Sequence, residues 1–122
     1  GNQVFTKRII TTTANGVYRI FAIDVDGDND TDVLSASTID DTIAWYENDG
    51  NQVFTKRIIT TTANGVYRIF AIDVDGDNDT DVLSASTIDD TIAWYENDVI
   101  STTADGAFSV FAIDLDGDGD ID

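Results

Sequence analysis

Aspartates occupy alternate positions of one short stretch, and this stretch occurs three times in the chain, at residues 24–32, 73–81 and 114–122. Each copy carries five carboxylates. Carboxylates this close together repel one another and raise each other's pKa, which disfavours such a loop without a counter-ion. Calcium takes about six to eight oxygen ligands, mostly from carboxylates and carbonyls, so the stretch predicts a calcium site.

All three copies are predicted to bind, which allows up to three calcium ions (Ca2+) per chain. In each copy the first, third, fifth and ninth residues can converge, while a backbone carbonyl near the seventh fills a gap. The sixth position needs a left-handed backbone, which suits Gly119 best and Asn29 and Asn78 next. The predicted metal-site residues are Asp24, Asp26, Asp28, Asp30, Asp32, Asp73, Asp75, Asp77, Asp79, Asp81, Asp114, Asp116, Asp118, Asp120 and Asp122.

The stretch begins like an EF-hand loop but lacks two features of that motif. An EF-hand requires a glutamate at the twelfth position, where this chain has Ser35 and Ser84. It also requires flanking helices, whereas residues 17–23 and 33–37 are short and rich in β-branched and aromatic residues, which is typical of strands. We therefore predict a calcium site between two strands, and the alternative is a solvated acidic turn without metal.

Composition limits the partners and the location. The chain has 122 residues, of which 42% are hydrophobic, so it is long enough for one domain with a core. A net charge of −18 without a basic patch argues against a nucleic-acid partner. No apolar run is long enough for membrane insertion. The absence of Cys and His excludes disulfides and thiolate zinc sites. Open calcium sites suit millimolar extracellular calcium, so we expect a secreted, extracellular or cell-surface protein.

The chain is a tandem repeat. Residues 1–49 and 50–98 are identical, and residues 99–122 form a diverged, partial third copy. Alternating apolar residues and turn signals predict four strands in each full copy. In the first copy these strands are 4–10, 17–23, 32–37 and 42–47.

Several predicted strands are apolar on both faces. In the fourth, Ile43 and Trp45 lie on one face, and Ala44 and Tyr46 on the other. A sheet of this kind must be covered on both sides by neighbouring sheets. Four antiparallel strands in each repeat, buried on both faces, predict an all-β fold of β-propeller blades. A β-sandwich and a β-solenoid are the alternatives.

The strings FAIDVDGDNDTDVLSAS and DTIAWYENDG, at residues 21–37 and 41–50, resemble the FG-GAP/VCBS repeat. That family forms the calcium-binding blades of integrin-α-type and related bacterial propellers. The resemblance implies calcium in the loop between the first two strands of each blade, with ligands at the first, third, fifth and ninth loop positions. Asn29 and Asn78 stand where the family prefers glycine, which implies slightly weaker sites.

Blade order in that family divides the chain into four parts. It implies an outer strand of a neighbouring blade at 1–10, blade one at 17–59, blade two without its outer strand at 66–97, and an inner strand with its calcium loop at 107–122. A closed propeller needs at least about four blades. We therefore expect residues 1–10 of one copy to complete blade two of the next, which gives a head-to-tail ring or filament. The alternative is a piece of a longer array.

These features predict a non-enzymatic structural or interaction module that forms homo-oligomers. The alternative is a carbohydrate-binding, lectin-like propeller, in which exposed aromatic rings stack on glycans. Packing between blades is the favoured role for these rings, because aromatic residues dominate cores. The rings are Trp45, Tyr46, Trp94 and Tyr95.

An enzyme is not expected. The acidic pairs outside the repeated stretch are residues 40–41 and 89–90, and each pair is duplicated. An active site is normally a single asymmetric constellation, so the two pairs are predicted to be turns.

Overall fold

A computed structural model describes residues 3–98, which form seven strands. Within these residues no helix has the length and hydropathy that crossing a bilayer would require. The predicted third inner strand, within 107–122, lies outside the described residues. The strands are β1 (Val17–Ile23), β2 (Asp32–Ser37), β3 (Thr42–Asn48), β4 (Phe54–Thr60), β5 (Val66–Ile72), β6 (Asp81–Ser86) and β7 (Thr91–Tyr95).

The strands form two antiparallel sheets in simple meander order. The first sheet, blade one, has the order β1-β2-β3-β4, and the second, blade two, has the order β5-β6-β7. The all-β prediction with antiparallel blades is therefore confirmed. Strands β1, β2, β5 and β6 have the predicted bounds. Strand β4 covers 54–60, so it ends one residue beyond the predicted end of blade one at residue 59.

Residues 4–10 were predicted to form a strand, and this prediction is wrong for the isolated chain. Residues 3–10 are irregular, and the side chains of Val4 and Phe5 are 88% and 92% exposed. Residues 54–59, the identical counterparts of residues 5–10, lie in β4, because β3 runs beside them and pairs with their backbone groups. Residues 3–10 have no such neighbour among the described strands, and an isolated strand leaves its ladder bonds unmade. Pairing of residues 1–10 with another copy stays a prediction.

Each blade has two apolar faces, which we name by the residues of its second strand. The front face is the side of Leu34 in blade one and of Leu83 in blade two. The back face is the side of Val33 in blade one and of Val82 in blade two. In the register of blade one, Leu34 pairs with Trp45, so Trp45 is also on the front face.

The core lies between the blades, where the front face of blade one packs on the back face of blade two. Burying a large aliphatic side chain contributes about 1.5–3 kcal/mol, so this contact stabilises the fold. The expectation that neighbouring sheets cover both sides of each blade is borne out for these two faces only. The buried hydrophobic cluster consists of Val25, Leu34, Ala36, Ile43, Ala63, Val66, Ile69, Ala71 and Val82.

Ring contacts and hydrogen bonds also join the blades. The rings of Phe21 and Phe70 have their centroids 5.4 Å apart. In the turn between β2 and β3, the backbone carbonyl of Asp41 accepts a hydrogen bond from Ala63 N at 3.1 Å, and its carboxylate accepts one from Gly65 N at 3.2 Å. This acidic pair therefore lies in a turn, as predicted, and the turn holds the linker that enters blade two.

Candidate metal centre

The two described acidic loops connect β1 to β2 and β5 to β6, at one end of each blade. Both loops turn through left-handed backbone at their sixth position, with φ of 70° at Asn29 and 74° at Asn78. Asparagine tolerates this conformation better than most residues, as the sequence predicted. The third loop, with Gly119, lies outside the described residues.

Three carboxylates converge in each described loop. In blade one Asp24, Asp26 and Asp28 offer oxygen atoms that lie within 4.8 Å of one another. In blade two the corresponding group is Asp73, Asp75 and Asp81. A donor set of carboxylate oxygens alone fits a hard cation such as calcium and does not suit zinc or copper, which favour nitrogen and sulfur.

The remaining predicted metal-site residues are placed differently. Some belong to neither three-carboxylate group, namely Asp30, Asp32, Asp77 and Asp79. Others lie outside the described residues, namely Asp114, Asp116, Asp118, Asp120 and Asp122.

The first aspartate of each loop organises the loop backbone. One carboxylate oxygen of Asp24 accepts a hydrogen bond from Gly27 N at 2.9 Å, and the other accepts one from Asn29 N at 2.8 Å. Asp73 accepts equivalent bonds from Gly76 N and Asn78 N at 2.8 and 2.9 Å. The loop therefore curls around this carboxylate, because its own N–H groups point at the negative charge.

Hydrogen bonding and charge push the pKa values of neighbouring carboxyls apart. Desolvation acts to raise the pKa of Asp24, but hydrogen bonds from the backbone N–H groups of Asn29 and Gly27 hold it below its ordinary value. Desolvation raises the pKa of Asp26 to about 6, and the adjacent carboxylates of Asp28 and Asp32 add to this rise. In blade two the pKa of Asp75 is raised, first by desolvation and then by Asp77. A bound cation would relieve this repulsion.

The last aspartate of each loop has a structural role that sequence reasoning missed. Asp32 is fully buried, and its two carboxylate oxygens accept hydrogen bonds from Val25 N at 2.9 Å and Asn48 N at 2.8 Å. It therefore fixes the start of the loop to the end of β3. The available signal was an acidic residue at the first position of a buried strand.

Asp81 repeats this arrangement in blade two. It is also fully buried, and it accepts hydrogen bonds from Val74 N at 2.9 Å and Asn97 N at 2.8 Å. The bond from the backbone of Asn97, and then that from Val74, hold the pKa of Asp81 below its ordinary value.

The seventh loop residue of blade one, Asp30, lies against the turn that follows β3. A Cβ atom added at Gly50 would be 2.7 Å from a carboxylate oxygen of Asp30. Desolvation, then the charges of Asp28 and Asp24, raise the pKa of Asp30. The side chain of Asp30 thus contacts the next turn, and the charges of the loop extend to that turn.

The acidic loop of blade one also contacts blade two. The side-chain amide of Asn97 donates to the carbonyl of Val25 at 3.5 Å. The side chain of Val25 is 7% exposed, whereas that of its counterpart Val74 is 44% exposed. The position of this loop is therefore tied to the contact between the blades.

The candidate sugar-binding aromatic residues are divided between the core and the surface. Trp45 and Tyr95 pack against the core between the blades, and Tyr46 is buried. Trp94 is 44% exposed on the front face of blade two. These four rings therefore do not form one open platform.

Comparison with known families gave one match. The chain matches the FG-GAP-like repeat over residues 24–84, which is half of its length. The match begins at the first acidic loop and ends within β6, so it includes both described loops. Searches of curated proteins and of solved structures returned no match.

Proposed function

The chain belongs to the FG-GAP-like repeat family, and on this premise we propose that it is a non-enzymatic, calcium-binding β-propeller module. It acts outside the cell as a scaffold for structural assembly or protein interaction. The convergence of three carboxylates in each described loop supports the metal-binding part of this proposal.

Calcium would supply positive charge where the loop concentrates negative charge. Asp24, Asp26 and Asp28 would hold the ion in blade one, and Asp73, Asp75 and Asp81 would hold it in blade two. The protein's own contribution is to preorganise the loop. The buried carboxylate of Asp32 does this by fixing the loop to β3, because it bonds to two backbone N–H groups.

The extracellular location follows from the same chemistry. Calcium sites in extracellular modules bind weakly and fill at millimolar calcium. Loops as exposed as these, in which Asp26 and Asp28 face solvent, suit that concentration better than cytosolic calcium. A chain of net charge −18 also gains most from a compartment in which calcium is abundant.

Assembly with copies of itself is the second part of the proposal. Strand β7 pairs with β6 along one edge, and no described strand pairs with its other edge. Residues 1–10 have the sequence that forms the outer strand of blade one. Added to β7 of another copy, they would give blade two its fourth strand through main-chain hydrogen bonds.

Sugar binding is the second candidate function. It is supported by the exposed ring of Trp94, since an open ring face can stack on a glycan. Quenching of tryptophan fluorescence by a glycan, lost in Trp94→Ala and retained in Trp45→Phe, would favour it over the scaffold function.

Isothermal titration of calcium into the chelator-treated chain tests the metal proposal. We expect heat of binding and a calcium-dependent rise in melting temperature, because the ion binds the folded loops. The double variant Asp26→Ala with Asp75→Ala should lose binding at both described loops. The matched control, Asp40→Ala with Asp89→Ala, also removes two acidic residues and should bind like the parent. No heat of binding and an unchanged melting temperature in the parent would refute the calcium proposal.

A further inference from the structure

Identical residues are buried in one blade and exposed in the other. On the front faces, Ile43 of blade one is 0% exposed and its counterpart Ile92 of blade two is 85% exposed. On the back faces the order is reversed, since Ile20 of blade one is 70% exposed and Ile69 of blade two is 8% exposed. Within residues 3–98, the front face of blade two and the back face of blade one are therefore open.

The buried faces show what fits the open ones. Inside the molecule, the front face of blade one packs on the back face of blade two. The open front face of blade two carries the same residues in the same register as the packed front face of blade one, except that it has no counterpart of β4. The open back face of blade one matches the packed back face of blade two in the same way. The shapes and chemistry of the two open faces are therefore complementary to each other, because an equivalent pair already packs in the centre.

The open back face forms one wall of a cleft of about 480 Å³, where Val17, Ile20 and Val33 lie, and residues 7–12 also line this cleft. Two buried hydroxyls in its lining, those of Ser35 and Tyr46, have no hydrogen-bond partner in the described part of the chain. In blade two the corresponding hydroxyls, Ser84 and Tyr95, lie 3.5 Å from each other next to the packed interface. The cleft thus corresponds to one side of the packed interface, and among the described residues no second sheet covers it.

The open front face is equally apolar. Phe70, Leu83 and Ile92 line a hollow of about 190 Å³ on it. The exposed fractions of Phe70 and Trp94 are 51% and 44%. Exposed apolar surface of this extent marks an interaction site.

We propose that these two faces are docking surfaces for a second copy of this chain, joined head to tail by the same packing that joins blades one and two. The inference rests on the proposed scaffold function and adds the contact surface to it. The surface differs from the strand edge of β7, because it lies on the faces of the sheets. The contact is heterologous, so each added copy leaves one front face and one back face free.

A second copy is favoured over an unrelated partner for two reasons. Apart from the contribution of β4, the packing that it would make already exists inside the chain. The chain carries a net charge of −18, yet both open faces consist mainly of apolar residues, so most of the contact is made by uncharged side chains. Because the net charges of two copies repel, association should strengthen when salt or calcium screens them.

Two single variants of the full chain test the proposal. Ile20→Asp places a charge on the open back face, and Ile92→Asp places one on the open front face. Both leave the interface inside the chain unchanged, because Ile69 and Ile43 occupy it. We expect light scattering to show assemblies for the parent and monomers for each variant alone. An equimolar mixture should form a heterodimer of twice the 13.2 kDa chain mass, because only one pair of unblocked faces remains.

Two further variants act as controls. Val53 is 58% exposed but lies in a turn outside both faces, so Val53→Asp should assemble like the parent. Thr6→Pro removes a backbone donor that strand pairing of residues 3–10 would need, and it should also assemble, because Thr6 does not line the cleft on the open back face. Circular dichroism of every variant should match that of the parent, which separates lost docking from lost folding.

Three results would overturn the inference. The first is a monomeric parent, which would follow if a part of the same chain outside the described residues covered blade two. The second is assembly of Ile20→Asp or Ile92→Asp alone. The third is loss of assembly in Thr6→Pro with assembly retained in both face variants, which would support strand exchange instead. If calcium still raised the melting temperature in these samples, the metal proposal would stand while the docking inference failed.

Discussion

The hydroxyl of Thr80 in blade two donates a hydrogen bond of 3.4 Å to the backbone carbonyl of Asp24 in blade one. Thr80 precedes the last aspartate of one acidic loop, and Asp24 is the first aspartate of the other. The two candidate metal loops are therefore in direct contact. A ligand that orders the loop of blade one should therefore also stabilise the contact between the blades.

Substitution of Thr80 tests this contact. Thr80→Val keeps the shape of the side chain and removes the hydroxyl, so we expect a loss of about 0.5–1.5 kcal/mol in the free energy of unfolding. Thr31 occupies the same position in blade one and is exposed, so Thr31→Val should have almost no effect. Urea denaturation of both variants makes the comparison. Equal losses would mean that the contact between the loops contributes nothing.

Removal of the buried carboxylate of Asp32 should destabilise the fold even without metal. Asp32→Ala leaves the N–H groups of Val25 and Asn48 without their acceptor, and we expect a cost of about 3 kcal/mol or more. Denaturation in chelator measures this structural role separately from any role in calcium binding. Asp40→Ala, at an exposed turn, should cost less than about 0.5 kcal/mol. Similar costs for the two variants would show that Asp32 does not hold the loop.

The calcium-free chain should lose stability as the pH rises through about 6. The pKa of Asp26 is raised from 3.8 to about 6 in the folded chain, so this group favours folding while it is protonated. Its contribution is complete below about 4 and disappears as the pH rises through about 6. We expect a higher melting temperature at pH 4.5 than at pH 7 in chelator. The double variant Asp26→Asn with Asp75→Asn should flatten this dependence.

Asp81 produces the opposite slope at lower pH. Its pKa is held below the ordinary value, so its contribution is present above about 4 and is lost as the pH falls through the folded pKa. Acid unfolding that begins below about pH 4 should therefore persist in the Asp26→Asn, Asp75→Asn double variant. A flat stability profile from pH 7 to pH 2 would contradict both assignments.

Replacing isoleucine by alanine at the equivalent positions 43 and 92 of the two repeats should change the free energy of unfolding by different amounts. Ile43→Ala opens a cavity between the blades and should cost about 2–5 kcal/mol. Ile92→Ala removes a side chain that is 85% exposed, so it should cost less than about 0.5 kcal/mol. Denaturation must be measured at a concentration at which the parent is monomeric, because Ile92 belongs to the proposed docking face. Equal costs would mean that the front face of blade two is covered within the chain.

Local sequence was sufficient to locate most of the strands. Alternating apolar residues between turn residues placed β1, β2, β5 and β6 correctly, and the tolerance of asparagine for left-handed backbone placed the turn at Asn29. These features depend on residues that are close together in the chain. Residues 4–10 show the limit of this reasoning, because the same sequence forms β4 only where a neighbouring strand supplies partners.

The burial of each face and the role of Asp32 could not be predicted in this way. Ile43 and Ile92 have the same neighbours in sequence, so only the neighbours in space explain their different burial. The carboxylate of Asp32 accepts a bond from Asn48, which lies sixteen residues further along the chain. That bond depends on the register of β2 and β3 and cannot be read from the loop alone.

The sequence repeat and the structural blade are out of phase. The repeat runs over residues 1–49, whereas blade one runs from β1 to the end of β4 at Thr60 and so takes its outer strand from the second repeat. Consider a gene in which a segment encoding one period is duplicated at any point. Every interior blade is then rebuilt whole, since the strand that one copy lacks is supplied by the copy that follows. Such a gene can lengthen by unequal crossing-over at arbitrary breakpoints without breaking a blade, and its descendants differ in blade number.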